Sequence, residues 1–201
     1  MLALAKDLRE QLDRVESPAD QAKLAGGIRV LLTQLAEVSD NAGILDWAGT
    51  TLWQLANVLA TKPGNNNMAV QLNQGAAKVF EKILAKNQAD PSYLDAIERK
   101  PDDILIKQAL ALRGQESFEE ATTIFVQLLS KNNSQLTAQV EAARTFQQWS
   151  ENKDVALLKK AAYGAEPDTK QKKIVWGWGQ MSKMLSSQLG NRPDLQGIFF
   201  D

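Results

Sequence analysis

The chain has 201 residues, with 23 Lys+Arg against 24 Asp+Glu and a formal net charge of −1, and it contains neither histidine nor cysteine. Without cysteine there are no disulfides, thiolate nucleophiles or zinc-thiolate sites, and without histidine the commonest general base and metal ligand is missing. Charge is even along the chain, 11 basic against 12 acidic residues over 1–100 and 12 against 12 over 101–201, so neither half is the polycation a nucleic-acid footprint requires.

An apolar fraction of 44% is enough for a sizeable core. No stretch, the opening Met1–Ala5 run included, approaches the ~20 apolar residues of a membrane span. As written the chain is expected to be soluble. A lack of cysteine suits a reducing or an oxidising compartment equally, so it assigns no location.

All six prolines fall between segments of helical apolar spacing, where proline is tolerated. The first segment, residues 2–14, carries Leu4, Leu8 and Leu12. Ser17 then reads as an N-cap with Pro18 at the first helical position, followed by the stripe Leu24, Ile28, Leu31, Leu32 and Leu35. Gly26-Gly27 interrupts this stripe at a cost of roughly 2 kcal/mol relative to alanine, enough to predict a bend or break. A third helix is predicted from about Gly43 to Ala60, burying Leu45, Ala48, Leu52, Leu55, Ala56 and Leu59. After the loop Lys62–Asn67, a fourth runs from Met68 to about Lys86 and buries Leu72, Ala76, Phe80, Ile83 and Leu84. No segment alternates as a strand, so the fold class is all-α, at least roughly 65% helix.

In the second half, Asp102–Asn133 reads as helix, Gly114 turn and helix, with Ala109 and Ala121 expected where the two helices cross and Phe118 and Phe125 as wedges. A shift of 34 residues, the period of a helix-pair repeat, carries Ala109 onto Ala143 and then Gly177. The same shift aligns Ile106 with Val140 and Ile174, and Leu112 with Phe146. The second helix of the next hairpin, about Asp154 to Tyr163, keeps Val155, Leu158 and Ala161-Ala162. The last unit places Trp176-Gly177-Trp178-Gly179 in a first helix with an Ile174–Leu185 stripe, ahead of a tail, 191–201, docked by Leu195, Phe199 and Phe200.

These residues resemble a known repeat. The run Gly114 to Phe125 is similar to the second-helix pattern of the tetratricopeptide repeat, with Asn133 where that repeat usually has proline. The strings Leu45-Asp46-Trp47-Ala48, Phe118-Glu119-Glu120-Ala121, Gln139-Val140-Glu141-Ala142-Ala143 and Ile174-Val175-Trp176-Gly177-Trp178-Gly179 resemble the C-terminal region of large repeat proteins of planctomycete bacteria. The resemblance implies stacked antiparallel helix hairpins in a TPR-like right-handed α-solenoid, and a fragment or short relative of a longer protein. The expected divisions are 1–98, degenerate hairpins; 99–190, repeats at 102–135, 136–169 and a partial 170–190; and 191–201, a tail.

Chemistry finds little to work with. Asp102-Asp103 and Glu119-Glu120 each lie in a first helical turn, where acids meet the helix dipole favourably, and adjacent residues diverge by about 100°. Ser and Tyr have no nearby base, and no phosphate-cradling glycine loop is present. No catalytic, cofactor-binding or metal-binding residue is predicted, and no cofactor. Lys170, Lys172 and Lys173, with Lys159 and Lys160, form the one basic cluster, read as a solvated helix start or as a contact to an acidic partner. The expected function is a protein-interaction scaffold holding a peptide or helix in a concave groove, with no nucleic acid and no membrane span.

Extrapolating the repeat register, the groove candidates are Lys107, Leu110, Arg113, Val140, Arg144, Gln147, Trp178 and Met181. Leu110 and Arg144 occupy the positions of the asparagines with which related domains clamp C-terminal carboxylates, so that ligand class is not implied. The alternative is an architectural or self-associating spacer of a larger protein, and a third reading is an enzyme whose site has no recognisable pattern.

Overall fold

Serine, asparagine and aspartate side chains cap the starts of four helices. In the computed structural model, which describes residues 2–150, 154–170 and 172–186, the Ser17 hydroxyl accepts the Asp20 amide (3.4 Å), with Pro18 as first helical residue. Asn41 accepts Ile44 N–H at 3.1 Å, Asp103 accepts Lys100 N–H at 3.1 Å, and Asp154 accepts Ala156 N–H at 2.8 Å. The helices are α1 (Leu2–Arg14), α2 (Pro18–Val38), α3 (Ala42–Ala60), α4 (Asn66–Ala89), α5 (Pro101–Gly114), α6 (Phe118–Lys131), α7 (Leu136–Trp149), α8 (Val155–Tyr163) and α9 (Gly177–Ser186), those bonds starting α2, α3, α5 and α8. Helix makes up 78% of the described residues, and a single antiparallel pair, β1 (Ala165–Pro167) with β2 (Lys173–Val175), interrupts it.

The chain divides into two compact units, Met1–Ser117 and Phe118–Asp201. Helix α5 lies in the first unit, packed on α4. Ala109 and Ala121 are both fully buried, each in its own unit.

The core of the first unit is the α3–α4 pair, with Leu45, Ala48, Leu52, Leu55 and Leu59 against Leu72, Ala76, Phe80 and Ile83. Helix α2 continues through Gly26-Gly27 without the break that the two glycines predict. Its buried stripe is Gln21, Ala25, Ile28, Leu32 and Ala36, which leaves Leu31 64% exposed. The C-terminus of α2 ends without a capping glycine. Instead Lys82 of α4 donates to the carbonyls of Ala36, Glu37 and Ser39 at 2.8–2.9 Å, satisfying acceptors that the helix cannot. Asp40 lies beside it, 2.7 Å from Lys86 and 3.7 Å from Lys82. The Lys86 bond and charge hold the Asp40 carboxyl below its ordinary value, while burial and then the charge of Asp40 raise the Tyr93 phenol, which donates to Asp40 O at 2.9 Å.

In the second unit α6 packs on α7, α7 on α8, and α9 on both α7 and α8. Trp149 stacks between Phe118 (6.2 Å between centroids) and Phe146 (6.4 Å). Helix α8 buries Leu157 and Ala161, whereas the expected packing residues Val155 and Leu158 are 61% and 46% exposed.

The start of the expected first helix, with its Ile174–Leu185 stripe, is replaced by the hairpin, and the helix begins only at Gly177. Asp168 Oδ1 accepts the amides of Lys170 (2.8 Å) and Lys172 (2.9 Å), and Asp168 N–H donates to Lys172 O (2.7 Å), which closes the turn. Ile174 and Val175 are then extended, and Val175 pairs with Ala165. Gly164 (φ +85) and Gly177 (φ +72) let the two junctions touch, since a Cβ on Gly177 would lie 2.4 Å from Gly164 N. Gly177 is therefore a strand-to-helix junction rather than a helix seam. The expected tail 191–201 lies outside the described residues.

Gln139, fully buried at the fourth position of α7, ties this hairpin down. Its Nε2 donates to Asn133 O (2.8 Å) and Ile174 O (2.9 Å), and its Oε1 accepts Trp176 N–H (2.8 Å). Gln139→Leu strands three main-chain groups and should destabilise by about 2–4 kcal/mol in urea unfolding; unfolding with the parent would show that the hairpin is held by other contacts. Lys82→Met should cost about 1–3 kcal/mol, read in the same way. Because the Asp40 pKa is depressed on folding, its contribution is present above the ordinary carboxylate value and is lost as pH falls through the folded one. Asp40→Asn should accordingly flatten the fall of Tm below about pH 4; an unchanged acid limb would assign that limb to other carboxylates.

Candidate partner-binding face

Val140, Arg144 and Gln147 stand at i, i+4 and i+7 of α7 and so share one helix face. At its base this face is core. Val140 (4% exposed) packs with Ala143, Trp176 and Met181 (1%) in one buried cluster, with Leu136 and Trp178 partly buried against it. Val140 and Met181, predicted as groove contacts, are thus packing residues of the second unit, since α9 returns onto α7 and seals them. Arg144 is half-buried and pairs with Glu141 at 2.9 Å. Gln147 is exposed and accepts the Trp178 indole N–H at 2.9 Å.

This bond gives Trp178 a defined position. One part of the indole packs on the Val140–Met181 cluster, the Nε1–H is satisfied by a side chain, and the remaining surface is open to solvent. A large aromatic with its rotamer fixed loses little further entropy when a partner covers it. Trp176, two residues earlier, sits on the strand-to-helix junction at 9% exposure. Trp176 belongs to the buried cluster, and Trp178 is partly buried against that same cluster.

The first-unit candidates are placed differently. Lys107 of α5 bonds Asp46 Oδ1 (2.5 Å) and Thr50 Oγ1 (3.0 Å) on α3, lies 5.9 Å over the Phe80 ring, and shares Asp46 with Arg99 at 3.9 Å. Its ammonium is therefore committed to a half-buried internal network that fastens α5 to α3. Leu110 and Arg113 are half-buried on α5. The Asp46–Thr50–Lys107 network was not anticipated; its only local signal is the i, i+4 spacing of Asp46 and Thr50 on an otherwise apolar helix.

Among the described residues no three metal-competent side chains converge, and no helix is long and apolar enough to cross a membrane. Comparison with protein-family models, with curated proteins and with solved structures returns no match to the chain.

The two tryptophans should separate on truncation. Trp176→Ala removes a buried ring and should cost about 3–5 kcal/mol. Trp178→Ala should cost less, about 1–2 kcal/mol, because the indole is only partly buried against the cluster. Equal destabilisation by both changes, measured by urea unfolding, would make Trp178 a structural residue and remove it from the candidate face.

Proposed function

We propose that the chain is a non-catalytic protein-interaction scaffold, its helix pairs arranged as a TPR-like right-handed superhelix, and that a peptide or helix of another protein is held at the face of Arg144, Gln147 and Trp178. The observation that carries the reading is the Trp178 indole, partly exposed yet fixed by Gln147 at 2.9 Å on a buried cluster. Aromatic and arginine side chains on a rigid support are the usual anchors of protein interfaces. The repeat-like burial of Ala109 and Ala143, 34 residues apart, supports the helix-pair arrangement. The sequence also lacks both histidine and cysteine, which leaves acid–base and nucleophilic chemistry few carriers.

A second reading, self-association as a structural spacer, has its own observation. Val30, Leu31 and Val38 of α2 are 45%, 64% and 84% exposed, a set of apolar side chains that a second copy could cover. Sedimentation separates the two: a parent that self-associates and becomes monomeric on Leu31→Lys and Val38→Lys belongs to the spacer reading.

For the scaffold reading, the tagged chain and its Trp178→Ala variant are used to retain partners from a lysate of the source organism at moderate salt. The expected outcome is a specific retained protein that is lost with Trp178→Ala, while Val155→Ala, a change of an exposed apolar residue on α8, keeps it. Equal retention by parent and Trp178→Ala would place binding elsewhere.

A further inference from the structure

A polar trough of about 590 Å³ lies in the second unit between the end of α6 with its following loop and the β1–β2 hairpin. It is at the N-terminal end of α7, whereas Trp178 stands beside Gln147 near the C-terminal end, so the two surfaces are distinct. The floor is aliphatic, from Leu129 and Ile174, and Lys131 and Lys173 stand in its walls. Lys170 and Lys172 are exposed on the adjoining hairpin turn.

What distinguishes this place is charge without compensation. Among the described residues, Lys131, Lys170, Lys172 and Lys173 are paired with no carboxylate; Lys173 Nζ donates to the Tyr163 carbonyl. Residues 155–175 hold five lysines against Glu166 and Asp168, a local net charge of +3 in a chain whose total is −1. Asp168 also lines the trough, so the lining itself carries Lys131 and Lys173 against one carboxylate. Glu166 is engaged by Lys160 at 3.4 Å, and Asp168 Oδ1 accepts the two turn amides. Lys131 and Lys173 in the lining, with Lys170 and Lys172 beside it, leave a local excess of positive charge that raises the concentration of anions and steers them in.

The geometry points to this trough as a docking site for an acidic segment of a partner protein. Lysines supply point charges for carboxylates, the Asn132, Asn133 and Thr169 side chains in the lining supply donors and acceptors for a peptide backbone, and the Leu129–Ile174 floor takes aliphatic stems. Nucleic acid fits less well, because the lining offers no arginine for bidentate phosphate contacts and no aromatic face for base stacking. The site is held in shape without a ligand: Gln139 bonds the carbonyls of both Asn133 and Ile174, one on each wall.

The test is fluorescence anisotropy of the full chain with a labelled Glu-rich decapeptide at roughly 20 mM and roughly 300 mM salt, beside a labelled oligo-dT of equal length. The expected result is saturable peptide binding that weakens steeply with salt and falls at least about tenfold in Lys131→Glu/Lys170→Glu. A control with the same change in net charge, Lys6→Glu/Lys23→Glu, alters two exposed lysines of the first unit and should bind like the parent. Absence of peptide binding at the lower salt, or equal losses in the two double variants, overturns the site. Tighter binding of oligo-dT than of the peptide overturns the partner class. None of these outcomes depends on Trp178, so failure here and failure of the Trp178 face are separately visible.

Discussion

The second unit is organised around one amide side chain. Gln139 is fully buried in an all-helical core where each unpaired main-chain group costs about 1–3 kcal/mol, and it satisfies three such groups at once, from Asn133, Ile174 and Trp176. All three belong to irregular or extended backbone that no helix ladder can serve. With Gln139 in place, the loop before α7 and the hairpin after α8 have fixed positions. Trp176 is then held at the junction from which α9 returns Met181 and Trp178 onto α7. The first unit uses the same device. Gln21, also the fourth residue of its helix, donates to the carbonyl six residues upstream (Val15 O, 2.6 Å), as Gln139 does to Asn133 O, and accepts from the Asn65 amide at 2.7 Å. A glutamine at this position is long enough to reach back over the N-cap and still present its oxygen to a neighbouring element.

Where an element was decided by local chemistry, it could be read from the residues. Ser17-Pro18 starts α2, Asp103 caps α5, and the apolar spacing of α3 and α4 places their buried faces correctly. Long-range chemistry was not readable. Gly26-Gly27 predicts a bend or break on propensity alone, yet α2 runs through as one helix, because packing on α3 and α4 outweighs a cost of roughly 2 kcal/mol. Ile174-Val175 fits a helical stripe as well as a short strand. What decides for the strand is a side chain 35 residues away, Gln139, bonding Ile174 O, together with the turn Asp168 closes. A period of 34 residues carried past α7 therefore assigned a helix to a segment whose partner groups demand extended backbone.

The candidate face shows the same division. Periodicity identifies Val140, Arg144 and Gln147 as one side of α7, but cannot tell which part of that side another helix covers. The return of α9 turns Val140 and Met181 into core and leaves Arg144, Gln147 and Trp178 at the margin. Likewise Lys107 lies on the predicted face of α5, but an ammonium within reach of a half-buried carboxylate pairs with it, and Asp46 on α3 was invisible as a neighbour 61 residues away.

Charge use within each unit bears on which surfaces are free to act. In the first unit lysines serve the fold: Lys62 meets Asp13 at 2.8 Å, Lys82 and Lys86 share Asp40, and Lys107 is buried against Asp46. In the second, Lys131 at the end of α6 and Lys170, Lys172 and Lys173 of the hairpin have no acid partner among the described residues, although a single glutamate at a neighbouring position would supply one. Hairpin closure relies on the Asp168 turn and on Gln139, neither of which needs those ammonium groups. Lys173 bonds the Tyr163 carbonyl at the end of α8, but the repulsion of Lys131, Lys170 and Lys172 opposes the fold slightly and is screened by salt, so folding alone gives no reason for those three. A carboxylate-bearing partner would remove that repulsion on binding. In this respect the trough differs from the face around Trp178, where Gln147 and the buried cluster already satisfy the polar and apolar parts of the indole.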